Sequence, residues 1–131
     1  MTPQELRERT AEFAERAGRL ARPLLKDLAA REAALQLIAA SASAAANYRA
    51  ACVARSHADF RAKIGLALEE CDESVFWPEY LRRTGLCSQP ELAKLTREGV
   101  ELARILGASK RTSKLRALTR ARTGARKEPP Q

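Results

Sequence analysis

Aromatic residues are scarce in this chain: three Phe, two Tyr and one Trp make up 5% of 131 positions. Yet 45% of residues are hydrophobic. Alanine and leucine must therefore supply the core, which suits closely packed helices better than a sheet. No strand-like alternation of apolar and polar residues appears anywhere. No run approaches the roughly 18 consecutive apolar residues of a membrane span. The N-terminus also lacks the apolar stretch of a secretory signal. The length suits one domain with one core, and the expectation is a soluble, cytoplasmic protein without a membrane partner.

Histidine is scarcer still, with His57 alone. Di-iron bundles use a Glu-x-x-His motif on each of two helices. The acidic cluster Glu69, Glu70, Asp72 and Glu73 contains no such motif, so no metal site is expected. A glycine-rich phosphate loop and a nucleophile elbow are both missing. His57 itself reads as a solvated residue in the first turn of a helix. The expectation is a non-enzymatic protein with no catalytic residue and no cofactor. Cys52, Cys71 and Cys87 are odd in number and include no C-x-x-C pair, which argues against a disulfide framework or a zinc site. Cys52 and Cys71 read as small buried hydrophobes, and Cys87 as a thiol near a loop.

Charge is abundant, and its placement is uneven. The formal net charge is +8. Between Gly107 and Gln131 stand Lys110, Arg111, Lys114, Arg116, Arg120, Arg122, Arg126 and Lys127 against the single acid Glu128. The rest of the chain is nearly neutral. Such a run is a sequence-independent electrostatic footprint for a polyphosphate. It also fits a solubilising tail. Arg31, Arg49, Arg55, Arg61 and Lys63 are candidates for a further basic patch on the body.

Periodicity and start signals divide the chain into four helices. Thr2-Pro3-Gln4-Glu5 is a capping box with proline at the first helical position. Leu6, Thr10, Phe13, Ala17, Leu20 and Leu24 follow as an apolar stripe, and Pro23 should end the helix. A second helix is expected from about Asp27 to Arg55, with a wall of alanine and serine from Ala39 to Ala46. Ser56-His57-Ala58-Asp59 is a fresh start signal, so the second and third helices should fold as a tight antiparallel hairpin. Gly85 is a candidate left-handed cap for the third. Ser88-Gln89-Pro90-Glu91 starts the fourth, which is expected to fray near Lys110, with Lys114 to Leu118 able to extend it and the last ten residues disordered. The whole specifies an all-α, antiparallel up-down-up-down four-helix bundle over residues 1–110 and a basic tail over 111–131, partly helical or disordered.

Around the 55/56 joint, residues of the hairpin with numbers summing to roughly 111 should face each other. Asn47 then meets Ile64 and Lys63, and Arg49 falls near Asp59 or Ala62. Ser43, Asn47, Lys63, Glu70 and Glu73 would form a polar seam that locks the register of an otherwise smooth alanine interface. Tyr48, Phe76, Trp77 and Tyr80 cannot all enter one small core. Tyr48, Phe76 and Trp77 are therefore interface candidates, with packing beneath the loop before the fourth helix as the alternative for Phe76 and Trp77.

The stretches Ser43-Ala44-Ala45-Ala46-Asn47-Tyr48-Arg49, Ser56-x-x-Asp59-Phe60-x-x-Lys63, Ala67-Leu68-x-Glu70 and Glu73-Ser74-x-x-Trp77 together resemble bacterial four-helix-bundle proteins encoded in 23S rRNA intervening sequences. These are similar to the accessory variability determinant (Avd) proteins of diversity-generating retroelements. The resemblance implies a homopentameric ring with a central channel and binding of RNA or DNA. For Avd proteins it implies a reverse transcriptase partner. Two positions depart from the pattern: Ala50 stands where a glutamate is usual, and Pro78 where a leucine is. Pro78 should kink or shorten the third helix. Two function classes follow: a nucleic-acid-binding accessory protein, or an oligomeric scaffold for a protein partner with the basic tail incidental.

Overall fold

The computed structural model describes residues 1–127, the last three as backbone alone. These residues contain four helices and no strand: α1 (Pro3–Ala21), α2 (Arg31–Cys52), α3 (His57–Arg83) and α4 (Pro90–Lys127). A 3-10 turn, Arg22–Lys26, lies between the first two. Each helix packs on its neighbour in the chain, α4 closes back on α1, and the backbones of the diagonal pairs stay apart. This is the up-down-up-down four-helix bundle.

Local chemistry sets most helix ends. Glu5 N donates to Thr2 Oγ1 at 3.1 Å, and Thr2 N donates to Glu5 Oε2 at 3.0 Å, completing the capping box. Pro23 breaks α1, as its missing donor requires. The start expected near Asp27 comes later, at Arg31. Asp27 caps a preceding turn instead: its Oδ1 accepts from Ala29 N at 2.9 Å, and its carbonyl accepts from Ala30 and Arg31. α2 ends at Cys52, three residues short of the expected Arg55. Ser56 Oγ then accepts from Asp59 N at 3.0 Å and starts α3.

Pro78 does not shorten α3, which continues five residues beyond it to Arg83. The proline ring is fully buried, so core packing offsets the backbone bond it cannot make. Gly85 has φ +73° and closes the helix. Its N–H reaches Arg82 O at 3.2 Å and that of Leu86 reaches Leu81 O at 3.1 Å, the paired bonds of a Schellman cap.

The largest departure is α4. It does not fray near Lys110 but runs unbroken for 38 residues to Lys127, a rod of about 57 Å. Lys, Arg, Leu and Ala dominate its second half, and all favour helix. Residues 111–127 of the expected tail therefore belong to α4, and residues 128–131 lie outside the described residues.

Candidate functional site

The register of the bundle leaves α4 uncovered. Gly65 lies against Lys110, Leu68 against Gly107 and Val75 against Gly99. Continuing that register sets the start of α3 level with about residue 118 of α4. On the other side, Arg9 pairs with Glu98, so α1 starts level with only about residue 104. From there the register leaves α4 flanked mainly by α3, and beyond the start of α3 no other helix of the described residues is level with it. Between Lys110 and Lys127 it carries eight basic residues and no acid.

Where α1 stops short, two adjoining cavities open. A hollow of about 500 Å³ is bounded by Pro3, Tyr48, Ala51, Ala54, Arg55 and Phe60, among others. Beside it lies a notch of about 240 Å³ lined by His57, Phe60, Ser109, Ser113, Arg116 and Arg120. His57, Phe60 and Ser109 belong to both. Of the cationic candidates, Arg116 and Arg120 line the notch together and are exposed; they also border a second hollow of about 370 Å³ with Thr112, Leu115 and Thr119, and Arg55 lines the neighbouring cavity. Lys110 lies over Gly65, while Arg111, Lys114 and Arg122 are exposed. Phe60, Ser109 and Ser113 were not among the expected site residues, and His57 is exposed in the first turn of α3, as expected. Their signal was the spacing of Ser109, Ser113, Arg116 and Arg120, which share a face only if α4 is one continuous helix.

The expected patch on the body does not form. Arg31 sits at the far end of α2 from the joint, about 33 Å along the axis, where its Nε donates to Leu25 O at 2.9 Å. Arg49 faces α1 and lines a groove with Arg7, Glu8, Ala11, Ala45 and Ala46. Among the described residues no ion pair joins it to Asp59. Asn47 and Arg49 are two residues apart, about 200° around a helix, so they cannot both face α3. Arg61 and Lys63 are half-buried, and 200° likewise separates them.

The seam residues are only partly brought together. Asn47 Nδ2 donates to Ser43 O at 2.9 Å and to Ser43 Oγ at 3.2 Å, satisfying the pair within α2. Lys63 and Glu70 are half-buried, and Glu73 is exposed. Among the described residues no ion pair links them across the hairpin. The Glu70 carboxyl is held above its usual range by partial burial and then by Glu73 and Glu69.

Tyr48 is not an interface residue of the isolated bundle: it is buried in the core at 4% exposure. Burial pushes its hydroxyl well above the ordinary phenol range, and neighbouring Cys52 adds to the shift. Phe76, by contrast, is 56% exposed and Tyr80 40%. Trp77 is half-buried between them, its ring edge-on to both. Cys52 is exposed, against the expectation of burial, while Cys71 and Cys87 are buried; all three are free. No group of three or more His, Cys, Asp or Glu among the described residues could hold a metal ion. No described helix is long and apolar enough to cross a membrane.

A four-helix bundle with one overlong basic helix and a cleft at its base is thus the class of protein in hand. Residues 4–108 match the family described as 23S rRNA-intervening sequence protein, and the chain belongs to that family. Its fold is similar to the crystal structure of a protein of unknown function from the S23 ribosomal protein family of Bacteroides thetaiotaomicron VPI-5482. The TM-score is 0.77 at 27% identity, covering 85% of this chain and 99% of the other. No curated protein matches significantly.

Proposed function

We propose that this protein is a non-enzymatic nucleic-acid-binding accessory protein acting in the cytoplasm, with α4 as its polyanion-binding element. The observation that carries the reading is the unbroken helix from Lys110 to Lys127, with eight cations and no acid. Like charges at helical spacing repel, and an unsupported helix of this length is marginal in water. A phosphate backbone along it relieves the repulsion and releases counterions.

Deleting residues 111–131 tests this. The full chain is expected to retain RNA or DNA at moderate salt, and the truncated bundle is not. With roughly five phosphates neutralised on a duplex, log K should fall against log salt with a slope of about −4 to −5. Equal retention by the truncated chain, or binding indifferent to salt, would overturn the reading.

The oligomeric part of the proposal rests on a second observation. Leu35, Ala39, Ala42 and Ala46 are all exposed on α2, at spacings of four, three and four along its outer face. Ala62, Leu66, Phe76 and Tyr80 are exposed on α3. Apolar helix faces of this kind are normally covered, which supports association of several copies; the homopentameric ring is what the family resemblance implies. Multiplying the basic helix in this way raises avidity without new contacts per subunit. Replacing Ala42 or Phe76 with glutamate should reduce the mass measured by light scattering to that of a monomer. We extend the family resemblance to Avd proteins, and a reverse transcriptase is then the partner to test by co-purification. The scaffold reading draws on the same exposed aromatics, and it predicts a protein partner retained after the basic helix is deleted.

A further inference from the structure

We infer that the two adjoining cavities at the base of α4 form a seat for one unpaired nucleotide of a single strand. This rests on the nucleic-acid reading above and specifies the kind of strand it takes. The notch supplies the phosphate contacts. Ser109, Ser113, Arg116 and Arg120 line it from one face of α4, and His57 lines it from α3. No carboxylate is among the lining residues. Asp59, in the same turn of α3 as His57, stands outside the notch, and its backbone amide is taken by Ser56. Neither Arg116 nor Arg120 has a carboxylate partner among the described residues. Two guanidiniums four residues apart repel one another. An oxyanion between them turns that repulsion into charge-assisted hydrogen bonds.

The hollow supplies the base contacts. Tyr48, Ala51, Ala54 and Pro3 give it apolar walls, and Phe60 stands at the boundary shared with the notch. Base stacking on an aromatic ring tolerates any sequence, since every base has a flat face. Its volume, about 500 Å³, admits a nucleobase. Arg55 at the rim offers donors to a base edge or to the next phosphate. A base held in a duplex is stacked and paired and cannot enter. The seat therefore selects single strands, whereas the basic helix alone attracts any polyanion.

The test is fluorescence anisotropy of the full-length protein with a single strand about ten nucleotides long, and with a duplex of equal length. Three variants are compared, each checked by thermal melt for unchanged folding. Arg116→Gln with Arg120→Gln empties the notch. Arg111→Gln with Lys114→Gln removes the same charge from elsewhere on the helix. Ala54→Met fills the hollow without changing charge. The notch pair is expected to weaken single-strand binding about tenfold more than the control pair. Ala54→Met should weaken single-strand binding and leave duplex binding unchanged. Equal losses from the two arginine-containing pairs, no effect of Ala54→Met, or equal wild-type affinity for strand and duplex would each overturn the seat and leave the nucleic-acid reading standing. Failure of the wild type to bind either probe overturns both.

Discussion

Arg9 on α1 holds Glu98 on α4 through two hydrogen bonds, Nε to Oε2 at 2.8 Å and Nη2 to Oε1 at 2.6 Å. Of the bundle's adjacent helix pairs, α1 and α4 make the slightest contact, so this fork fixes where α1 stops along α4. The side chains are 30% and 20% exposed, between the surface and buried regimes. A double-mutant cycle with Arg9→Gln and Glu98→Gln should give a coupling energy of about 1 kcal/mol. Raising the salt concentration should reduce it only partly.

Gly99 marks the closest approach in the core. A Cβ placed there would lie 2.8 Å from Val75 Cγ2 and 3.2 Å from Phe13 Cζ. Both neighbours are hemmed in: Phe13 is buried, and Val75 is β-branched. Overpacking costs about 1–3 kcal/mol, and the better helix propensity of alanine returns up to about 1 kcal/mol. Gly99→Ala should therefore lower stability by about 1–2 kcal/mol, read as a lower urea midpoint at an unchanged slope.

The thiols should divide sharply in reactivity. Burial, with Asp72 and Glu98 adding to it, pushes the Cys71 thiol up to about 12, and its Sγ lies 3.4 Å from Gly99 O. Iodoacetamide at mildly alkaline pH should label Cys52 in the folded protein and spare Cys71 and Cys87. Mass spectrometry should find all three labelled after denaturation.

Glu70 gives stability a definite pH sign. Its folded carboxyl binds its proton more tightly than in the unfolded chain. The folded state therefore holds more protons as the group titrates, and stability falls as pH rises through that window. Glu70→Gln should raise the melting midpoint near neutral pH, where the wild-type carboxylate is charged. The two proteins should converge below the ordinary carboxylate range.

Ser56 is the hinge of the hairpin. Replacing it with alanine removes the acceptor for Asp59 N and should cost about 1 kcal/mol. Circular dichroism should show helix content near wild type with a lower melting point.

Several elements were legible in the linear order because their causes are local. Thr2 with Glu5, Ser56 with Asp59, Pro23 and Gly85 each act within four residues, and the structure carries out all four. The faces of α2 were harder to read. Arg49 was expected beside α3, but facing depends on which neighbour lies on which flank, and two residues of helix turn a side chain through about 200°. Tyr48 likewise could not be distinguished from Phe76 by residue type. Only the packing of four helices makes one a core residue and leaves the other exposed.

The amino-acid order by itself determined that the chain is helical, where three of its turns fall, and that its positive charge gathers at one end. Short-range hydrogen bonds and side-chain periodicity are enough for that. Tertiary structure alone decided how far the basic segment stands clear of the bundle, and that Arg116, Arg120, His57 and Phe60 share one cleft. Those outcomes depend on how far α1 and α3 reach along α4. That reach is set by contacts such as Arg9 with Glu98 and Val75 with Gly99, between residues far apart in the chain.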